Sequence, residues 1–253
     1  MRFLVVIILS GALGMFHSQI VEAAEITVVD NNVFVETDTY EVHFMDGVIN
    51  HLSNKLTGET YTLRLGVGDV PTGISGRSGL LRRSGGSVWT DQTTLTEARK
   101  VAPLRARLVF MQGQNEIRLF ITVNERTGDL LIEQRGISDT AGVYGIQWGC
   151  GNLDVRGLDL ILPAEGGQVF DVTTPITSRR FKYPGSCCGG WEAQLAIIQG
   201  QRGGFFVRGA DATFQFKALH YEKDAESFAL GFETQNQAPF DALTSAESVI
   251  WRL

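Results

Sequence analysis

Cysteine is scarce: three among 253 residues, which excludes a dense disulfide framework. Metal motifs are missing too. Cys187 and Cys188 are adjacent, and neighbours on an extended chain point to opposite sides. His43, His51 and His220 follow no metal-motif spacing, so neither a metal nor a cofactor is expected. Basic residues are too few and too scattered for a nucleic-acid stripe: 22 Lys and Arg against 28 Asp and Glu leave a formal charge of −6. Helical periodicity is almost absent. The glycine-rich stretch "GVGDVPTGISGRSGLLRRSGG", residues 66–86, lacks the Lys-Ser/Thr pair and following helix of a phosphate loop, and reads as a long loop between strands.

Long apolar runs are also lacking. The one at the start, Phe3 to Phe16, is broken by Ser10, Gly11 and Gly14 and falls short of the roughly 20 residues a spanning helix needs. With Arg2 before it and Val21 and Ala23 at −3 and −1, the segment reads as a leader peptide cut after Ala23. Residues 1–23 are therefore expected to be removed, and 24–253 to form one exported domain, secreted or periplasmic, with no membrane span after cleavage. Export permits a disulfide, expected between Cys150 and either Cys187 or Cys188, with a thiol left over.

What is present is strand after strand. In "TYEVHF", Tyr40, Val42 and Phe44 share one face while Glu41 and His43 share the other, the alternation of a half-buried antiparallel strand. The turns Gly113-Gln114-Asn115 and Arg126-Thr127-Gly128-Asp129 divide residues 102–139 into a three-strand meander. Arg105, Arg107 and Arg118 alternate with apolar residues there and belong on its exposed face. Over a dozen short strands in one domain imply two packed antiparallel sheets, an all-β sandwich.

Residues 143–253 bring a more specific pattern. Tyr183-Pro184, Trp191, the Gly203-Gly204 turn, Asp211 and the "FKAL" strand at 216–219 resemble the galactose-mutarotase-like β-supersandwich. That domain stands at the N-terminus of bacterial glycoside-hydrolase-type proteins, ahead of a catalytic β/α barrel. The resemblance implies a large two-sheet antiparallel supersandwich and a carbohydrate or a glycosidase barrel as partner. The chain stops at Leu253, just after the last sandwich strand, so the resemblance places the catalytic acid and base in a part this sequence does not contain. The histidine and glutamate motif of true mutarotases has no match at His43, His51 or His220.

Candidate chemistry is sparse. Asp154, Asp159, Asp171, Glu192 and Asp211 are possible carboxylate partners for glycoside hydrolysis, but acidic residues at strand ends and turns are ordinary. No catalytic residue is assigned. A Trp191 ring beside the glycine-rich loop would stack on a sugar, with Arg180, Glu192 and Arg202 bonding hydroxyls and Tyr183 and Asp211 completing a carbohydrate-facing set. Against this, alternation in "WEAQLAI" puts Trp191, Ala193, Leu195 and Ile197 on one apolar side, which looks like a core face. Cys187 and Cys188 have no local base and are read as structural or oxidised rather than nucleophilic. The leading expectation is a non-catalytic accessory or carbohydrate-facing domain. The alternatives are a sugar-acting enzyme of the mutarotase, epimerase or lyase type, and a structural exported protein.

Overall fold

Two-residue alternation of apolar and polar side chains builds nearly everything in this protein. A computed structural model describes residues 24–63, 77–85, 87–164, 166–185 and 190–253. Residues 1–23, read above as a leader, the glycine-rich stretch up to residue 76 and the Cys187-Cys188 pair lie outside the described residues.

The chain opens with β1 (Glu25–Val29), β2 (Asn32–Glu36), β3 (Tyr40–Met45), β4 (Val48–Asn54), β5 (Glu59–Thr60), β6 (Gly79–Ser84) and β7 (Ser87–Thr90). The meander follows as β8 (Thr94–Ala102), β9 (Arg105–Gln112), β10 (Asn115–Val123) and β11 (Leu130–Ile137). Next come β12 (Val143–Asp154), β13 (Asp159–Leu162), β14 (Gln168–Phe170), β15 (Ser178–Tyr183) and β16 (Leu195–Gln199). The chain closes with β17 (Gly204–Ala210), β18 (Lys217–Lys223), β19 (Ser227–Gln235), β20 (Ser245–Glu247) and β21 (Ile250–Arg252).

These strands form two sheets. The larger runs β1-β2-β3-β4-β12-β19-β18-β15, with β5 to β7 attached; the smaller runs β14-β13-β16-β17-β21-β11-β10-β9-β8, with β20 on β11. Among the described residues pairing is antiparallel except at the β4–β12 contact. The two-sheet sandwich expected from the sequence is the observed fold. Among the described residues no helix is long and apolar enough to cross a membrane.

The core lies between the layers. On β10, Ile117, Leu119, Ile121 and Val123 are buried while Arg118 points out. Each such side chain contributes about 1.5–3 kcal/mol of burial. Arg107 on the outward face pairs with Glu97 at 2.8 Å. Aromatic rings join the layers: Trp251 of β21, in the smaller sheet, lies 5.2 Å from Phe232 of β19 and 6.4 Å from Trp148 of β12, both in the larger sheet.

Three local expectations are corrected. The long loop read at 66–86 ends earlier, because Leu80 and Leu81 are buried and Gly79–Ser84 pairs with β12. The strand read from 216 begins only at Lys217, because the Asp211 carboxylate accepts the backbone N–H of Thr213 and of Gln215 and turns the chain before it. In "WEAQLAI" the strand starts at Leu195. Trp191 is bridged to Ala164, and the Leu195 N–H bonds back to the Ala193 carbonyl, so parity breaks between them. Ala196 and Ile198, not Leu195 and Ile197, consequently face the core.

Candidate functional site

The central strands of the larger sheet carry polar groups on the face turned away from the core. On β19, Phe228, Leu230 and Phe232 join the apolar interior. Period-two alternation therefore turns Ala229, Gly231, Glu233 and Gln235 to the opposite face. Cross-strand partners share a face, so the register extends this surface on both sides. Gln147 of β12 sits opposite Glu233, Gly149 opposite Gly231, and His220 of β18 opposite both Gly231 and Arg180 of β15. Gly149, Gly231, Ala218 and Ala229 put almost no side-chain volume there; all four are buried, as are Gln147 and Glu233, while Arg180 and His220 on the β15–β18 side are half-buried.

Glu233 anchors the arrangement. Its residue exposure is 2%, yet it is fully partnered: Arg180 Nε donates to Oε1 at 2.9 Å, Arg180 Nη2 donates to Oε2, and Gln235 Nε2 donates to Oε2 at 3.3 Å. Tyr144 donates its hydroxyl to Gln235 Oε1 at 2.6 Å. Burial opposes the charge on Arg180, but the bonds to Glu233 outweigh it and hold the guanidinium protonated. His220 lies 3.2 Å from the Ser178 hydroxyl. Burial pushes its imidazole below the usual histidine range despite the opposing field of Glu233 and Glu222, so it is neutral at pH 7. Both oxygens of the Glu233 carboxylate are engaged, so the face offers donors and acceptors held in fixed positions.

The six carbohydrate-facing residues drawn from the sequence fall in different places. Arg180 alone is on this polar face. Trp191 is fully buried, its indole N–H donating to the Leu195 carbonyl at 2.8 Å, and Tyr183 packs against it at 6.4 Å. Neither ring presents a face on which a sugar could stack. Asp211 is paired with Lys217 inside the protein. Glu192 is exposed and accepts the Gly166 N–H at 3.1 Å. Arg202 sits in the β16–β17 turn, where its N–H donates to Glu59 Oε1 at 2.8 Å. Of the other carboxylates raised, Asp154 pairs with Arg156 at 3.0 Å and Asp171 accepts from Thr173 at 2.8 Å, both local turn contacts.

Cys150 is a free thiol buried in β12, so the bridge expected through it is not formed in this structure; burial pushes it up to about 12, far from reactivity. Although they follow no motif spacing in the sequence, Glu41, His43 and His51 bring their ligand atoms within 4.8 Å of one another. A separate hollow of about 230 Å³ opens between the sheets, lined by Leu52, Tyr61, Phe205 and Leu253 among others, and is mainly apolar.

No protein-family profile matches the sequence, and no curated protein matches it. Among solved structures, the chain is similar to 4-alpha-glucanotransferase from Thermococcus litoralis, at 10% identity and a TM-score of 0.50 over 91% of this chain and 39% of that one. It also aligns with a galactose mutarotase related enzyme from Lactobacillus acidophilus, at 10% identity and a TM-score of 0.49 over 87% of this chain and 96% of that one. A galactose mutarotase-like protein from Lactobacillus casei aligns at 12% identity and a TM-score of 0.45, over 88% of this chain and all of that one. The first likeness shows the sandwich fold, carried there as part of a much longer chain.

Proposed function

We propose that this chain is a non-catalytic, carbohydrate-facing β-supersandwich domain of an exported glycoside-hydrolase-type protein. The observation that carries the reading is the Arg180–Glu233 pair at the β15 edge of the polar face. It fixes a half-buried charged donor abreast of His220 while leaving the carboxylate engaged on both oxygens. Saccharide hydroxyls need such pre-positioned donors and acceptors, here Arg180, Ser178 and His220. Fold alone does not name a ligand, so the test is direct. The mature chain should bind oligosaccharides on a glycan array, and His220→Ala should weaken the bound sugars about tenfold, the worth of one lost hydrogen bond to a neutral group. Absence of any sugar binding would remove this reading.

One observation favours a second reading, a sugar-acting enzyme. The neutral His220 lies within the electrostatic reach of buried Glu233. A mutarotation assay on galactose and glucose decides: turnover that disappears in His220→Ala would establish catalysis, and no turnover leaves the binding role.

A partner is suggested by the outer face of the smaller sheet. Register aligns Val169, Ile161, Ile197 and Phe206 in one row across four strands, with Val169 61% and Phe206 37% exposed. Contiguous apolar surface of this kind marks a contact site. We take its occupant to be a catalytic barrel, in keeping with the glucanotransferase, where the fold is carried within a longer enzyme. The isolated domain should then self-associate at high concentration in sedimentation velocity, and Phe206→Asp should return it to monomer. A wild-type chain that stays monomeric would count against the assignment.

A further inference from the structure

On the same outer face of the larger sheet, several strands away from Arg180, lies a cluster the saccharide face does not use. β3 and β4 are antiparallel neighbours, and their register sets His43 directly opposite His51. The two imidazole centroids are 4.6 Å apart with planes tilted by 36°. Glu41 precedes His43 by two residues and so shares its face; its Oε1 lies 2.6 Å from His43 Nε2. The Phe34 ring of β2 packs edge-on against His43 at 4.8 Å and limits where that imidazole can turn.

The opposition of the two histidines depends on a bulge. Phe44 pairs with Ile49 and His43 with His51, so Asn50 is an extra residue on β4. Bulges re-aim side chains, and this one brings His51 abreast of His43. Asn50 itself is buried, donates weakly to Met45 Sδ at 3.6 Å, and leaves its Oδ1 without a hydrogen-bond partner. A buried amide oxygen in that condition costs about 1–3 kcal/mol, so the sheet tolerates a local penalty at the residue that sets this geometry.

We infer that Glu41, His43 and His51 form a binding site for a borderline divalent transition-metal ion, of which zinc is the type. Two imidazole nitrogens and one carboxylate oxygen are the donors such ions select, and three protein ligands leave a fourth position for water. Metal bonds of about 2.0–2.2 Å in a tetrahedron set ligand atoms roughly 3.4 Å apart. The present separations, from 2.6 Å up to at most 4.8 Å, bracket that value. All three residues are half-buried, so small side-chain rotations can close the wider gap. Calcium and magnesium are disfavoured, because they seek six or more oxygens and the cluster supplies one carboxylate.

The experiment is a calorimetric titration of the untagged, EDTA-treated mature chain with zinc chloride, repeated with calcium chloride. One zinc ion per chain, no calcium binding, and a loss of about tenfold or more in affinity in both His51→Ala and Glu41→Gln is the expected result. Cobalt substitution gives a second readout: visible absorption bands of a four-coordinate ion in the wild type, absent from His51→Ala. No zinc binding by the wild-type chain overturns the inference, whether or not the variants fold. Zinc binding unchanged in a folded His51→Ala overturns it equally, as does a preference for calcium.

Discussion

Replacing Asp211 with alanine is expected to destabilise the domain by about 3–5 kcal/mol, the usual cost of stranding one member of a buried ion pair. The Lys217 side chain is fully buried and that of Asp211 is 3% exposed. Besides the carboxylate, the ammonium donates to the Gln215 carbonyl at 2.6 Å and lies 5.2 Å from the centre of the Tyr183 ring. Asp211 also holds the turn after β17 through the Thr213 and Gln215 amides, so alanine removes the counter-charge and the turn together. Lys217→Met added to the alanine variant should recover most of the loss, because no charge is then left stranded. Denaturant midpoints at constant slope give all three values.

The same pair predicts a pH dependence. Burial alone would raise the Asp211 carboxyl, but the bonds from Lys217, Thr213 and Gln215 outweigh it and hold the group well below the usual carboxylate range. A group depressed in the folded state contributes stability above its unfolded value, near pH 3.9, and loses it as pH falls toward the folded value. Wild-type stability should therefore drop more steeply than that of Asp211→Ala as pH is lowered from 5 to about 2. Parallel curves would exclude the pairing as a source of acid sensitivity.

The meander from Arg105 to Ile137 could be read from the sequence because its signals are local: alternation over eight or nine residues and two glycine-bearing turns. The polar face could be read only in part. Arg180 reads as a donor to sugar hydroxyls, but its partner Glu233 is 53 residues away, and only sheet pairing brings them together. A signal for Glu233 did exist. In "ESFALGFET" it has the opposite parity to Phe228, Leu230 and Phe232, which places a carboxylate on the face away from the core. The histidine pair was hidden for a different reason. A hairpin that pairs Met45 with Val48 and Phe44 with Ile49 would, without interruption, set His43 opposite Asn50; the bulge replaces Asn50 with His51. Trp191 illustrates the converse. It is buried as its apolar company suggested, but strand alternation is not the cause, because the chain bends at Ala193 before β16 begins.

Arg180→Met is expected to cost about 3–5 kcal/mol, because it strands the Glu233 carboxylate where water reaches only 2% of the residue. Gln235 supplies one remaining donor, itself held by Tyr144, and one amide hydrogen bond does not replace a bidentate guanidinium. Adding Glu233→Met should return much of the lost stability, since a well-packed apolar pair can match or exceed a buried ion pair. Stability and binding should then part company in this double variant. If the pair exists to present Arg180 to a saccharide, the protein regains its denaturant midpoint and still fails to hold sugar. Sugar affinity that returned together with stability would make the pair a structural element alone and move any binding surface elsewhere on the sandwich.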